Sequence, residues 1–367
     1  MSTSFNYPVL TKELSRLAKC ALKLDAYFSL DIKQSTTIDL RELDLSLTST
    51  WAMWNANGLH VFFPRAQNEP VERNQYRMSQ LAGFTGPRIP FTLLAEDIEL
   101  ILLGMTKDVW QHRQRQRNKF LSEQGLGDER ERLTQQLNFC KDQLTQMMAL
   151  PNDGDEEAIH LLLRSYAGFE SGPNSTPAAI ARFLRFVSRG IFLYAIHDLN
   201  LSADLEHLSD VLSRGHDRYS ELSLQKQAAT AKWAASVDGR TALVRAMIIL
   251  GLCESISGQT EKGLDKDEPV MQLALIAAAT VVRAWITRAL PSCTCLADLP
   301  ASDVMNECTL LAESPELESW KHIGGKLLYK GENICCCNIH EWRQRFADRL
   351  HRPGWARQLN DLWPLTE

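Results

Sequence analysis

The residues in this chain best suited to chemistry are sulfurs. Cys335-Cys336-Cys337-Asn338-Ile339-His340 sets three thiols and an imidazole side by side, and Cys293 and Cys295 form a second, looser group. A structural zinc ion needs four such ligands in a tetrahedron, generally as two pairs, each separated by about two to four residues. Three adjacent cysteines point in different directions on any regular element and cannot all converge. On that argument Cys337 and His340, three apart on a helix, make the one proper half-site, and Cys293 with Cys295 is a poor second half. The spacing therefore predicts no metal ligand and no cofactor in this chain. The nine cysteines are an odd number without even spacing, and Cys140 and Cys253 sit on apolar helical faces where reduced core thiols belong. That pattern points to a reducing compartment, cytosol or nucleus.

Other chemistry finds less support. There is no Gly-x-Ser-x-Gly elbow, no phosphate-cradling glycine loop and no His-Glu-x-x-His. His340-Glu341 stands alone, and Gly239, Gly324 and Gly325 read as turn glycines. With 9 histidines and 45 acidic residues, chance Asp/His pairs are expected, so no catalytic residue is singled out and the chain reads as not an enzyme. A formal net charge of −5 supplies no basic field for nucleic acid or anionic lipid. The basic run Gln111 to Lys119 has two readings, a nuclear-import or phosphate-contact patch and a solvated helix end whose cations suit the negative pole of the dipole. No aromatic residue interleaves its charges, which favours the helix end. Neither a paired-Cys, paired-His finger nor six spaced cysteines beside a basic run is found, so no DNA-binding residue is assigned. No basic segment followed by an apolar one opens the sequence, which argues against secretion.

The elements that would position these groups are helical. Leu10, Leu14, Leu17, Ala18, Ala21 and Leu22 mark an amphipathic helix over 9–30. Residues 59–90, with four prolines and no period, read as a connecting loop. Leu94, Ile98, Ile101, Leu102, Met105 and Val109 predict a long helix entered at Pro90. Gly125 and Gly127 then break the chain before a second long helix, Asp128 to Leu150. Its Leu133, Leu137, Cys140, Leu144 and Met147 seam lasts about two heptads, short of a coiled coil. The acidic turn 151–157 reads as helix capping, and 170–176 as a linker whose Thr176-Pro177 starts the next helix. Ser202 is expected to cap another helix ending at Gly215, and Asp238-Gly239 to make the corner between two helices in 220–257. Pro269 to Pro291 approaches membrane-spanning length, but Gln272, Arg283 and Arg288 lie within it, so a helix buried in protein is expected. No credible strand series emerges. The fold is expected to be all-α, an irregular multi-helix bundle.

Three phrases in the first sixty residues carry a resemblance. They are Asp25-Ala26-Tyr27-Phe28-Ser29-Leu30, then Glu42-Leu43-Asp44-Leu45-Ser46-Leu47, then Trp51 to Trp54 before the Asn57-Gly58 turn. Their order and spacing resemble the fungal-specific transcription factor domain, the middle homology region of fungal zinc-finger regulators. Arg240-Thr241-Ala242-Leu243-Val244-Arg245-Ala246, Trp285 in an Ala-rich helix, Trp320, Gly324-Gly325, the phrase Gly331-Glu332-Asn333-Ile334-Cys335 and Trp355 resemble the tail of some members, including its closing helices. The resemblance implies two regions: 1–170, the C-terminal half of the regulatory domain, and 171–367, a helical tail packed on it. It further implies a transcription regulator acting in the nucleus without its own zinc DNA-binding module. Its partners would be the transcription machinery or a dimer partner, with DNA reached only indirectly and no membrane. The alternatives are a helical protein–protein adaptor with no DNA role, located in the cytoplasm, and an uncharacterised enzyme.

Overall fold

The computed structural model describes residues 7–83, 93–118, 123–151, 156–170, 175–213, 221–257, 268–288, 293, 295, 298–309, 312–350 and 353–363. Helices dominate them, and the fold is all-α with small sheets near the C-terminal end. The chain divides into two compact units inside one long helix, the first running to Tyr194 and the second starting at Ala195. That division lies within the helix following the 170–176 linker, of which 171–174 lie outside the described residues.

The first unit holds α1 (Tyr7–Ile32), α2 (Trp51–Trp54), α3 (Leu59–Asn68), α4 (Ala95–Asn118), α5 (Glu123–Ala149), α6 (Glu156–Tyr166) and the start of α7 (Ser175–Ser202). Helix α4 packs against α1 and α5 and is buried from Ala95 to Leu103 without a break. The α5 seam is buried too, Leu133, Leu137, Cys140, Leu144 and Met147 all facing inward. Burial pushes the Cys140 thiol far up, as expected for an inert core sulfur. Two expectations fail here. Residues 59–68 are helix rather than loop, although Pro64 removes one internal donor; Arg65 pins the segment by donating to the carbonyls of Ala52 at 2.5 Å and Gly168 at 2.6 Å. Gly125 and Gly127 do not break the chain, because α5 already includes them. Helical propensity against Ala is a weak term of about 1 kcal/mol per glycine, and neighbours override it. Pro90 lies outside the described residues.

The second unit is built around α11 (Pro269–Arg288), buried continuously from Val270 to Leu275 and from Ala277 to Ile286. It packs against α8 (Leu205–Ser213), α9 (Glu221–Ala234), α10 (Val237–Ser257), α14 (Ile339–Ala347) and α15 (Pro353–Leu362). Among the described residues it is the one helix long and apolar enough to cross a membrane, and 89% of its most apolar window is buried in protein. Ala274, Ala277, Ala278 and Ala279 are all buried, so small side chains line the close packing. The corner between α9 and α10 falls at Ala235-Ser236, upstream of the one expected. Gly239 is needed there for another reason: a Cβ on it would lie 2.2 Å from the carbonyl oxygen of Trp233. Ser202 ends α7 instead of capping α8; Asp204 does that, accepting the His207 N–H at 3.0 Å. Gly215 lies outside the described residues.

The unexpected strands are short. Strand β1 (Ala301–Asp303) precedes α12 (Val304–Glu307), a two-residue pairing of β2 (Cys308–Thr309) with β3 (Ala312–Glu313), and α13 (Pro315–Ile323). Strands β4 (Lys326–Tyr329) and β5 (Glu332–Asn333) complete a sheet of order β1-β4-β5, parallel then antiparallel. The turn between β4 and β5 is Lys330-Gly331, with φ of 52° and 79°. Two successive left-handed residues make the type I′ turn that suits a two-residue hairpin. Asp303 holds it, accepting the N–H of Lys330 at 3.1 Å and of Gly331 at 2.6 Å. The Gly331 to Cys335 phrase is therefore a hairpin and not part of a closing helix.

Candidate metal centre

That hairpin delivers a cysteine cluster. After β5, Ile334 still pairs with the sheet, its N–H donating to the Leu327 carbonyl at 2.9 Å. Cys335 follows in extended backbone and a single 3-10 turn, Cys336–Asn338, leads into α14. Asn338 organises the turn. Its Oδ1 accepts the Cys335 N–H and the Trp342 Nε1–H, both at 3.1 Å, and its Nδ2 donates to the Asn333 carbonyl at 2.8 Å. Trp342 is fully buried, edge-on to Tyr329 at 5.9 Å, so the turn is backed by core.

The other pair, Cys293 and Cys295, lies beyond the C-terminal end of α11. The sulfurs of Cys293, Cys295, Cys335 and Cys337 all lie within 4.8 Å of one another. Cys295 and Cys337 approach to 3.1 Å and Cys293 and Cys335 to 3.6 Å, each pair 42 positions apart in sequence. These separations exceed an S–S bond of about 2.05 Å. Both fall short of the spacing of about 3.8 Å that four sulfurs adopt when each is about 2.3 Å from one tetrahedral ion, while the whole group stays within 4.8 Å. Asn333 Nδ2 and the Cys295 N–H each donate to a sulfur at 3.4 Å, of Cys295 and Cys293 respectively. Lys326 Nζ donates to the Cys295 carbonyl at 3.1 Å. The hydrogen bond with the Cys295 sulfur above all pushes the Cys337 thiol well above its ordinary value. A cation bound by these sulfurs would deprotonate its ligands outright.

Residues 335–337 are not one regular element, as their spacing suggests: they straddle a strand-to-helix junction, where Cys335 and Cys337 converge. The expected partner of Cys337, His340, is exposed on α14 and is not part of the cluster. The sequence did hold a signal: the short apolar run Leu327-Leu328-Tyr329, then Lys330-Gly331, is compatible with a hairpin ending at the cysteines.

A second concentration of titratable groups lies on α4 in the first unit. Burial pushes the Glu96 carboxyl up, and Tyr166 donates to it at 2.6 Å while accepting the Ala95 N–H at 3.1 Å. Tyr166 is itself buried and edge-on to Phe183 at 5.2 Å. These partners are all protein groups tying α6 to α4, the geometry of a structural network. The basic run at the end of α4 is similarly engaged, Arg115 pairing with Glu129 and Arg113 donating to Gln116 at 2.6 Å. Lys119 lies outside the described residues.

No protein-family model, no curated protein and no solved structure matches this chain.

Proposed function

We propose that this chain is the helical regulatory region of a transcription regulator of the fungal zinc-finger type, acting in the nucleus through protein contacts and reaching DNA only indirectly. What supports the reading is that each phrase carrying the resemblance is tied to a residue outside it. Asp25 Oδ2, from the first phrase, accepts the Ile38 N–H at 2.7 Å and so pins the loop that follows α1. The middle phrase lies antiparallel to a later segment, Leu47 and Met78 donating to the carbonyls of Tyr76 and Leu45 at 3.1 and 2.8 Å. In the tryptophan phrase, Arg16 of α1 stacks on Trp54 at 3.5 Å and Trp51 meets Phe186 edge-on at 5.7 Å. These ties hold each phrase in place within the first unit.

Fusion to a heterologous DNA-binding domain tests the reading. The fused chain is expected to change reporter transcription, and an unaffected reporter refutes regulation. The bare chain, acidic overall, is expected to bind promoter fragments only in the salt-sensitive, non-specific range of roughly 10⁻⁴–10⁻⁶ M. Tight sequence-specific binding would refute the indirect route. A helical adaptor with no DNA role is the second reading, favoured by the exposed apolar residues Leu14, Leu17, Leu24, Phe28 and Ile32 along α1.

A further inference from the structure

We infer that Cys293, Cys295, Cys335 and Cys337 bind one zinc ion, closing a structural site that staples the segment after α11 to the junction between β5 and α14. The site is independent of the regulatory role proposed above. Four sulfurs from two Cys-x-Cys pairs fall within 4.8 Å of one another. A tetrahedral all-sulfur set selects zinc or iron–sulfur chemistry. Spacings of 3.1 and 3.6 Å across the two pairs suit a single ion, because sulfurs that ligate different metals of a polynuclear cluster must stand further apart. With four protein ligands the shell is closed, leaving no open position for a catalytic water, and the role is structural.

The surroundings fit a thiolate-bound cation. Asn333 Nδ2 and the Cys295 N–H donate to sulfurs, as outer-shell groups do when ligands carry negative charge. Asn338 is a positioning residue, since it holds the Cys335 backbone and is itself fixed by Trp342 and Asn333. Cys336 Sγ lies 3.9 Å from Cys335 Sγ but stands outside the four-sulfur group. Binding replaces the thiol protons, so about four protons leave as four S–Zn bonds form, fewer to the extent that thiols are already ionised. Cys293 and Cys337 are exposed, so the ion is within reach of solvent and chelators.

The full chain, purified under reducing conditions without chelator, is expected to carry about one zinc by elemental analysis. Cys295→Ser with Cys337→Ser should remove it, and Cys336→Ser should keep it. Asn338→Ala should weaken zinc binding by about 10–100-fold in competition with a chromophoric chelator. A serine variant that fails to fold does not end the test, because native mass spectrometry of the parent chain reads the ion directly. Cobalt added to the chelator-stripped chain should give thiolate charge-transfer and tetrahedral visible bands that zinc bleaches. The inference is overturned by zinc absent before and after its addition, by iron in its place, by unchanged zinc in the double serine variant, or by a mass deficit showing disulfides among these four cysteines.

Discussion

Arg73 and Asp97 meet through two parallel hydrogen bonds, Nη1 to Oδ2 at 2.5 Å and Nη2 to Oδ1 at 3.0 Å, with both side chains buried. Asp97 also accepts the Leu94 N–H at 2.8 Å, capping α4, and Arg73 donates to the Thr48 carbonyl at 3.2 Å. The pair thus joins the segment after α3, and through Thr48 the one before α2, to the start of the central helix of its unit. Removing one partner leaves a buried, uncompensated charge, which typically lowers stability by about 3–5 kcal/mol. Arg73→Met is expected to lose that much in urea unfolding, and adding Asp97→Asn, which keeps the cap, should recover a large part. A single variant as stable as the parent would contradict this role.

Glu99 predicts a pH dependence. Burial alone would raise its carboxyl, but Lys23 at 2.6 Å, Lys19 at 3.3 Å and the charge of Arg189 outweigh it and hold the group at about 2. An ordinary unfolded-state value is about 4.3, so between these limits the folded chain binds fewer protons than the unfolded one. The contribution is therefore present above about pH 4.3 and lost as pH falls toward 2. Unfolding free energy measured against pH should fall through that window, and Glu99→Gln should flatten this part of the acid limb. An unchanged slope in the variant would sink the assignment.

Gly104 tests the packing of Leu40, just ahead of the middle phrase, against α4. A Cβ there would stand 2.6 Å from Leu40 Cδ2 and 2.9 Å from Leu40 Cβ, and Leu40 is buried. Helix propensity favours Ala over Gly by about 1 kcal/mol, whereas overpacking costs about 1–3 kcal/mol. Because a Cβ cannot rotate away, Gly104→Ala should be destabilising by about 1 kcal/mol. A higher Tm would show that α4 and Leu40 separate freely.

The exposed face of α1 predicts association. Leu17, Leu24 and Phe28 are 66%, 59% and 63% exposed, and with Leu14 they recur at spacings of three, seven and four. A stripe of this kind binds hydrophobic dyes and promotes self-association. Leu17→Glu with Leu24→Glu should reduce both while leaving stability within about 0.5 kcal/mol, as surface changes do. A parent chain that binds no dye and stays monomeric at high concentration would refute it.

Much of the helical framework was legible in the sequence, because helix periodicity is a local property. The inward face of α4 is one case: Ile98, Ile101, Leu102, Met105 and Val109 are all buried as their spacing implies. The seam of α5 and the buried character of α11 follow from the same reading. Local signals erred where a neighbour outweighed propensity: Arg65 secures a helix through Pro64, and α5 extends across Gly125 and Gly127.

The candidate metal centre shows the other limit. Sequence alone places four thiols in two Cys-x-Cys pairs. Whether pairs 42 positions apart meet depends on a parallel pairing of β1 with β4, on Asp303 holding the hairpin turn, and on Asn338 folding the chain back beside Trp342. Those contacts are non-local, and their free energy comes from burying Tyr329 and Trp342 together. Residue spacing along a chain cannot express that burial, so only the tertiary structure brought the four sulfurs to one point.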